Sequence, residues 1–170
     1  MKIFLIGLPG CGKSTLGKQL ADALHFPFID LDQYIEKIEG VAVKDIFKNK
    51  GEAYFRLKES SALKHLIETE PKFVIATGGG APVFHNNMKL MNEHGTTIFL
   101  DVPAREIANR IQKTNLEERP LLARLAPDEL KDQIEFLRSQ RIGFYNQSTH
   151  KVSGDSIRMQ DVLRLLNATR

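Results

Sequence analysis

The stretch Gly7-Leu8-Pro9-Gly10-Cys11-Gly12-Lys13-Ser14-Thr15 constrains this chain more than any other. It matches in full the phosphate-binding loop pattern, a glycine, four residues, then Gly-Lys-Ser. Each residue type has a physical task at that spacing. Glycines let the backbone wrap a polyphosphate with its N–H groups turned inward. The Lys13 ammonium can reach the outer phosphates, the Ser14 hydroxyl can ligate Mg²⁺, and a following helix aims its positive end at the anion. The flanks agree. Ile3-Phe4-Leu5-Ile6 reads as a buried strand, and Leu16, Leu20, Ala23 and Leu24 recur at helical spacing. A chance glycine-rich turn would explain neither flank.

Beyond the loop, short apolar runs alternate with longer amphipathic segments. Strands are expected at 3–6, 26–30, 73–76, 97–100 and, from a weaker pattern, 150–152. Helices are expected near 13–24, 86–94, 103–112, 127–140 and 158–167. This alternation predicts an α/β fold, with a parallel sheet covered on both faces and ligands at the carboxyl ends of its strands. Two stretches interrupt it. Residues 31–70 carry at least two helical patterns, too long for one crossover, and read as an inserted helical region that binds substrate. Residues 113–126 are polar and charged. Proline disfavours helix at the residue before it, so Arg119-Pro120 breaks any helical period. A mobile lid is the expectation there, with an ordinary solvated loop as the alternative.

Composition narrows the function classes. The 170 residues fit one domain, 1–170, with enough chain for a sizeable core. No apolar run approaches the roughly 18 residues of a membrane helix, so a cytoplasmic protein with no membrane partner is expected. A single cysteine, Cys11, excludes an internal disulfide and reads as a small residue that fits the loop. The histidines lie without metal-ligand spacing. The net charge of +3 is mildly basic, but no Lys/Arg run or aromatic-basic motif points to nucleic acid. Small acidic substrates explain the arginines equally well. With nothing left over after the core, a monomer is expected.

Five further groups of residues carry chemistry. Asp30-Leu31-Asp32 closes the second strand. If extended, it places two carboxylates on one side, about 6–7 Å apart. One could organise Mg²⁺ through water and the other accept a hydroxyl proton. A plainer alternative, compatible with the first, has Asp32 cap a helix starting at Gln33. Arg56 and Glu59 share a helix face. They form either a surface ion pair or a fork for a substrate carboxylate, steadied by Glu59. Gly78-Gly79-Gly80 follows the third strand, where many nucleotide hydrolases carry an acidic metal ligand. Three glycines there let backbone approach a ligand closely. Arg141 stands near the end of the helix after the lid, where a cation also complements the helix dipole. Arg119, in the lid, could neutralise charge on a moving phosphoryl group.

In combination and order, these motifs resemble the shikimate kinases over nearly the whole chain. The resemblance rests on Gly7–Thr15, Asp30-x-Asp32, Phe55-Arg56-x-x-Glu59, Gly78-Gly79-Gly80, Arg119-Pro120-Leu121-Leu122 and Arg141-x-x-x-Tyr145. It implies a P-loop fold like that of the nucleoside monophosphate kinases: a five-stranded parallel sheet flanked by helices, a helical substrate-binding insertion and a mobile lid. It also implies transfer of the γ-phosphoryl group of MgATP to the 3-hydroxyl of shikimate, on the route to chorismate and the aromatic amino acids. By similarity, Gly10, Cys11, Gly12, Lys13, Ser14 and Thr15 cradle the ATP phosphates, and Ser14 binds Mg²⁺ with Asp30 in support. Asp32 meets the ring hydroxyls and serves as base. Arg56 and Arg141 hold the shikimate carboxylate, Glu59 steadies Arg56, and Gly78, Gly79 and Gly80 line the substrate. Arg119 reaches the phosphates. Arg110 and residues 153–156 are the counterparts on the adenine side, with Arg158 a weaker match. The nearest alternative is a gluconate or nucleotide kinase of the same fold. A non-catalytic ATP-binding module is the alternative from another class.

Overall fold

Ile3, Phe4, Leu5 and Ile6 are all fully buried. Successive strand residues point to opposite faces, so this strand is covered on both sides, as the central strand of a parallel sheet must be. In the computed structural model, which describes residues 1–113 and 126–168, it is β1 (Lys2–Ile6) and sits in the middle. With β2 (Phe28–Asp30), β3 (Phe73–Ala76), β4 (Thr96–Asp101) and β5 (His150–Ser153) it forms a five-stranded sheet in the order β2-β3-β1-β4-β5. All pairs are parallel, with Ile3 opposite Val74 on one side and Thr96 on the other. The helices α1 (Lys13–Leu24), α2 (Leu31–Glu39), α3 (Val43–Thr69), α4 (Asn87–His94), α5 (Ala104–Lys113), α6 (Pro127–Tyr145) and α7 (Met159–Ala168) flank it, with a short 3₁₀ turn at Ala81–Val83.

The strand order places the site. The chain leaves β1 toward β2 on one side and leaves β3 toward β4 on the other. The crevice beyond the carboxyl ends of β1 and β3 is therefore a topological switch point, where ligands bind in such sheets. The phosphate loop follows β1 and the glycine run follows β3, so both open into that crevice.

Two boundaries differ from the sequence expectation by more than one residue. β2 starts at Phe28 rather than residue 26, since Pro27 has no N–H to give the ladder. The helix expected over 127–140 runs on to Tyr145. Ile142 packs against the core and Tyr145 is fully buried, which outweighs the poor helix propensity of Gly143. The region 31–70 is a helical pair. Glu39 at the end of α2 accepts hydrogen bonds from Tyr54 (2.8 Å) and Lys50 (3.2 Å) and an ion pair from Lys58 (2.9 Å), pinning α2 to α3. Between those contacts α3 bends at Gly51, whose φ of 82° and ψ of 170° are strained for residues with a Cβ.

Candidate active site

The phosphate loop is built to receive an anion. Gly12, at φ 98°, caps α1 without a side chain, and no acidic residue stands in the first turn. The N–H groups there point outward with the positive end of the helix behind them. Lys13 is 8% exposed and folds back over the loop. Its Nζ donates to the carbonyls of Gly7 and Leu8, both at 2.9 Å, and lies 3.7 Å from Cys11 Sγ. Arg110 covers the loop from α5. Its Nη1 donates to Cys11 O (3.2 Å), its Nε to Glu106 (2.9 Å) and its Nη2 to the carbonyl of Asp155. One guanidinium thus joins the phosphate loop to the loop after β5, the two places the sequence associated with phosphate and adenine.

The two aspartates are arranged differently from the extended pair expected. Asp30 Oδ1 accepts from Gln33 N (3.3 Å), so Asp30 is the N-cap and α2 begins at Leu31. Asp32 lies in the first helical turn and caps nothing. Their tasks still separate. Asp30 Oδ2 accepts from Ser14 Oγ at 2.7 Å. Hydroxyl and carboxylate together are the sparse, hard oxygen set that suits Mg²⁺ arriving with a polyphosphate. Asp32 turns inward, and its Oδ1 is buried with no hydrogen-bond partner among the described residues. Burial, with the charge of Asp30, raises the Asp32 pKa against the pull of Lys13 and Arg56.

Arg56 and Glu59 are not a surface pair. Arg56 is 7% exposed and Glu59 is 0% exposed. Arg56 Nη1 donates to Glu59 Oε2 at 2.8 Å, while Glu59 Oε1 is buried and without a hydrogen-bond partner among the described residues. Burial pushes the Glu59 carboxyl up to about 7 despite the guanidinium beside it. The Arg56 guanidinium centre lies 4.6 Å from the Phe84 ring, 5.2 Å from Phe55 and 5.8 Å from Phe47.

The three glycines explain why these groups can meet. A Cβ on Gly78 would lie 2.7 Å from Glu59 Oε1 and 3.0 Å from Asp32 Oδ1. A Cβ on Gly79 would lie 2.9 Å from an Arg141 guanidinium nitrogen and 2.7 Å from Pro9. A Cβ on Gly80 would overlap the Arg56 guanidinium. The run is bare because the protein's own charged side chains close over it. Tyr145 fixes its path from α6, donating its hydroxyl to Gly79 O at 2.6 Å, and burial pushes that hydroxyl up to about 12, which keeps it a donor.

The structure thus gathers Asp32, Arg56, Glu59 and Arg141 around the glycine run, with Lys13, Ser14, Asp30 and Arg110 on the phosphate side. Arg119 and the stretch around it, residues 114–125, lie outside the described residues. Arg158 pairs with Asp161 on the surface, 3.5 Å away. The sequence reading missed Glu52, which meets Arg56 through Nε at 3.2 Å and Nη2 at 3.1 Å, although its spacing four before Arg56 was a usable signal. It also missed Phe84, which no local pattern ties to Arg56.

A parallel sheet with a phosphate loop at its switch point, and a buried arginine–carboxylate cluster facing that loop, defines a nucleotide-dependent phosphotransferase for a small acidic acceptor. The model of the shikimate kinase family matches residues 9–169. This chain belongs to that family. The shikimate kinase of Bacteroides fragilis is 42% identical over 175 residues, covering 98% of this chain and 97% of that protein. The crystal structure of shikimate kinase from Bacteroides thetaiotaomicron superposes with a TM-score of 0.89 at 38% identity, covering 99% of this chain and 97% of the other. The Acinetobacter baumannii enzyme in complex with shikimate gives a TM-score of 0.87 at 28% identity, covering 99% and 94%.

Proposed function

We infer that this chain is a shikimate kinase, moving the γ-phosphoryl group of ATP to the 3-hydroxyl of shikimate in the pathway to chorismate. Family membership sets the reaction. The observation that carries the site assignment is the closure of Asp32, Glu59, Arg56 and Arg141 over Gly78-Gly79-Gly80, beside the phosphate loop. An acceptor with a carboxylate and vicinal hydroxyls has a matching group for each.

The roles follow from the chemistry. Arg56 and Arg141 clamp the carboxylate, and Glu59 holds Arg56 in place. The unpartnered oxygen of Asp32 accepts a ring hydroxyl. The hydroxyl oxygen forms a bond to the γ-phosphorus as the bond to the bridging oxygen of ADP breaks, and the hydroxyl proton goes to Asp32. The raised proton affinity of Asp32 suits that task. Lys13 gives up its carbonyl partners to the phosphates, which the first-turn N–H groups also hold. Gly10, Cys11, Gly12, Lys13, Ser14 and Thr15 form the cradle. Mg²⁺, held by Ser14 with Asp30, would supply charge neutralisation on the phosphate oxygens. Arg119, within residues 113–126, adds positive charge to the transferred group and makes that stretch the lid. The helical pair α2–α3 is the substrate-binding insertion of a single domain 1–170. In the same proposal the protein is a cytoplasmic monomer that takes no nucleic-acid or membrane partner. Among the described residues no helix is long and apolar enough to cross a membrane.

The test is ADP release from MgATP with shikimate, gluconate or no acceptor. Turnover should require shikimate, and Asp32→Asn should lower kcat about a hundredfold or more. Turnover with gluconate in place of shikimate would reject the acceptor. Tight ATP binding with no turnover on any acceptor would return the binding-module reading.

A further inference from the structure

Arg56 has two carboxyl partners, and they hold it differently. Glu59 takes Nη1 at 2.8 Å from a position that is 0% exposed. Glu52, with a side chain 56% exposed, covers the Nε–Nη2 edge. A single oxygen of Glu52, Oε1, accepts both of those bonds, at 3.2 and 3.1 Å. A well-formed guanidinium–carboxylate pair instead uses two parallel bonds near 2.8 Å. The Glu52 contact is therefore the loose one. Gly80 and the Phe84 ring lie against the guanidinium, and Glu59 fixes one nitrogen. The Nε–Nη2 edge is where a two-oxygen carboxylate would make a side-on pair.

We propose that Glu52 is a stand-in carboxylate, occupying the Arg56 fork until the acidic substrate displaces it. The proposal rests on the reading of Arg56 as the substrate clamp. The two acidic neighbours differ in what they can do. Glu59 would leave its contact only by moving a carboxylate through the protein interior, which is costly. Glu52 swings into water at little cost, because its own side chain is more than half exposed and its contact with Arg56 is loose. Its position favours such movement, since it is the first residue after the bend at Gly51, where the helix has just resumed. Glu52 thus keeps the guanidinium aligned and neutralised while the site is empty, and it sets a threshold that acids must exceed and neutral look-alikes gain nothing by meeting. It is a positioning residue: its effect on the substrate passes through Arg56.

The experiment compares KM for shikimate and kcat in wild type, Glu52→Gln and Arg56→Met, together with the inhibition constant of the uncharged methyl ester of shikimate. Removing the competitor should lower KM for shikimate about two- to fivefold, the range expected for a loose ion pair with one partner in water, with a smaller change in kcat. The ester constant should stay within about twofold, as the ester does not compete for the charge. Glu52→Asp, one methylene too short to span the gap, should move KM in the same direction and decides the matter where the Gln variant does not fold. An unchanged or raised KM in the Glu52 variants, with KM raised strongly in Arg56→Met, overturns the stand-in role and leaves the clamp intact. An unchanged KM in Arg56→Met defeats the clamp and the proposal together.

Discussion

The charges around the glycine run behave as one unit, and Glu59 is where pH should reveal it. Its carboxyl is held near 7, above its unfolded value of 4.5, because burial outweighs Arg56. Such a group binds its proton more tightly in the folded chain. Its contribution to stability is fully present below about pH 4.5 and is lost as the pH rises through about 7. The difference in melting temperature between wild type and Glu59→Gln should therefore shrink or reverse across that window in the substrate-free protein. A constant difference would mean that Glu59 titrates as an ordinary carboxylate. Gly80→Ala tests the same unit from the backbone side. Its Cβ would overlap the Arg56 guanidinium, which must move away. KM for shikimate should rise about ten- to a hundredfold, the value of a charge-assisted hydrogen bond, with kcat falling less. An unchanged KM would show that Arg56 has a second workable pose.

At the scale of elements, α3 is the informative piece. Its two segments are joined at Gly51, in a region of backbone space that other residues enter only at a cost of about 1–3 kcal/mol. A Cβ there would meet nothing within 4 Å, so Gly51→Ala probes the backbone alone. It should lower the free energy of unfolding in urea by that cost, and an unaltered midpoint would mean that α3 can straighten. The bend was not legible in the sequence, where 31–70 showed only repeated helical patterns. Phosphate loop, strands and glycine run were legible because their chemistry or their burial fixes a local spacing. The contacts that give Arg56 its setting were not, because Gly80 and Phe84 come from across the fold. Spacing put Arg56 and Glu59 on one helix face but could not say that the face is inward. Asp30 and Asp32 were found as a pair, and the error was conformational. An alternating strand and a capped first turn demand the same residue types, and the Gln33 N–H decides between them.

Across the molecule, one carboxylate ties the strands of the far edge to α6. Asp101, ending β4, accepts from Arg138 of α6 at 2.9 and 3.2 Å and pairs with Lys151 of β5 at 2.8 Å. Partial burial alone would raise its pKa, but the bonds from Lys151 and Arg138 hold it below the usual carboxylate range. Asp101→Asn should cost about 1 kcal/mol near neutral pH, a modest figure because both partners are part exposed. For a lowered pKa the stabilisation is present above the unfolded value of 3.8 and lost as pH falls through the folded one. Chemical denaturation should therefore show the deficit of the variant at pH 7 and its disappearance in strong acid. A deficit that persists there would place the loss in packing.

The bare run after β3 also has a genetic consequence. Any missense change in a glycine codon adds at least one carbon to the backbone. At Gly78, Gly79 and Gly80 that carbon falls onto Glu59, Pro9 or Arg56, each at less than 3 Å. A saturation library selected for growth without aromatic amino acids should thus show three adjacent columns depleted of every substitution, conservative ones included. Gly143, where a Cβ would meet nothing within 4 Å and the backbone is helical, should be far more permissive.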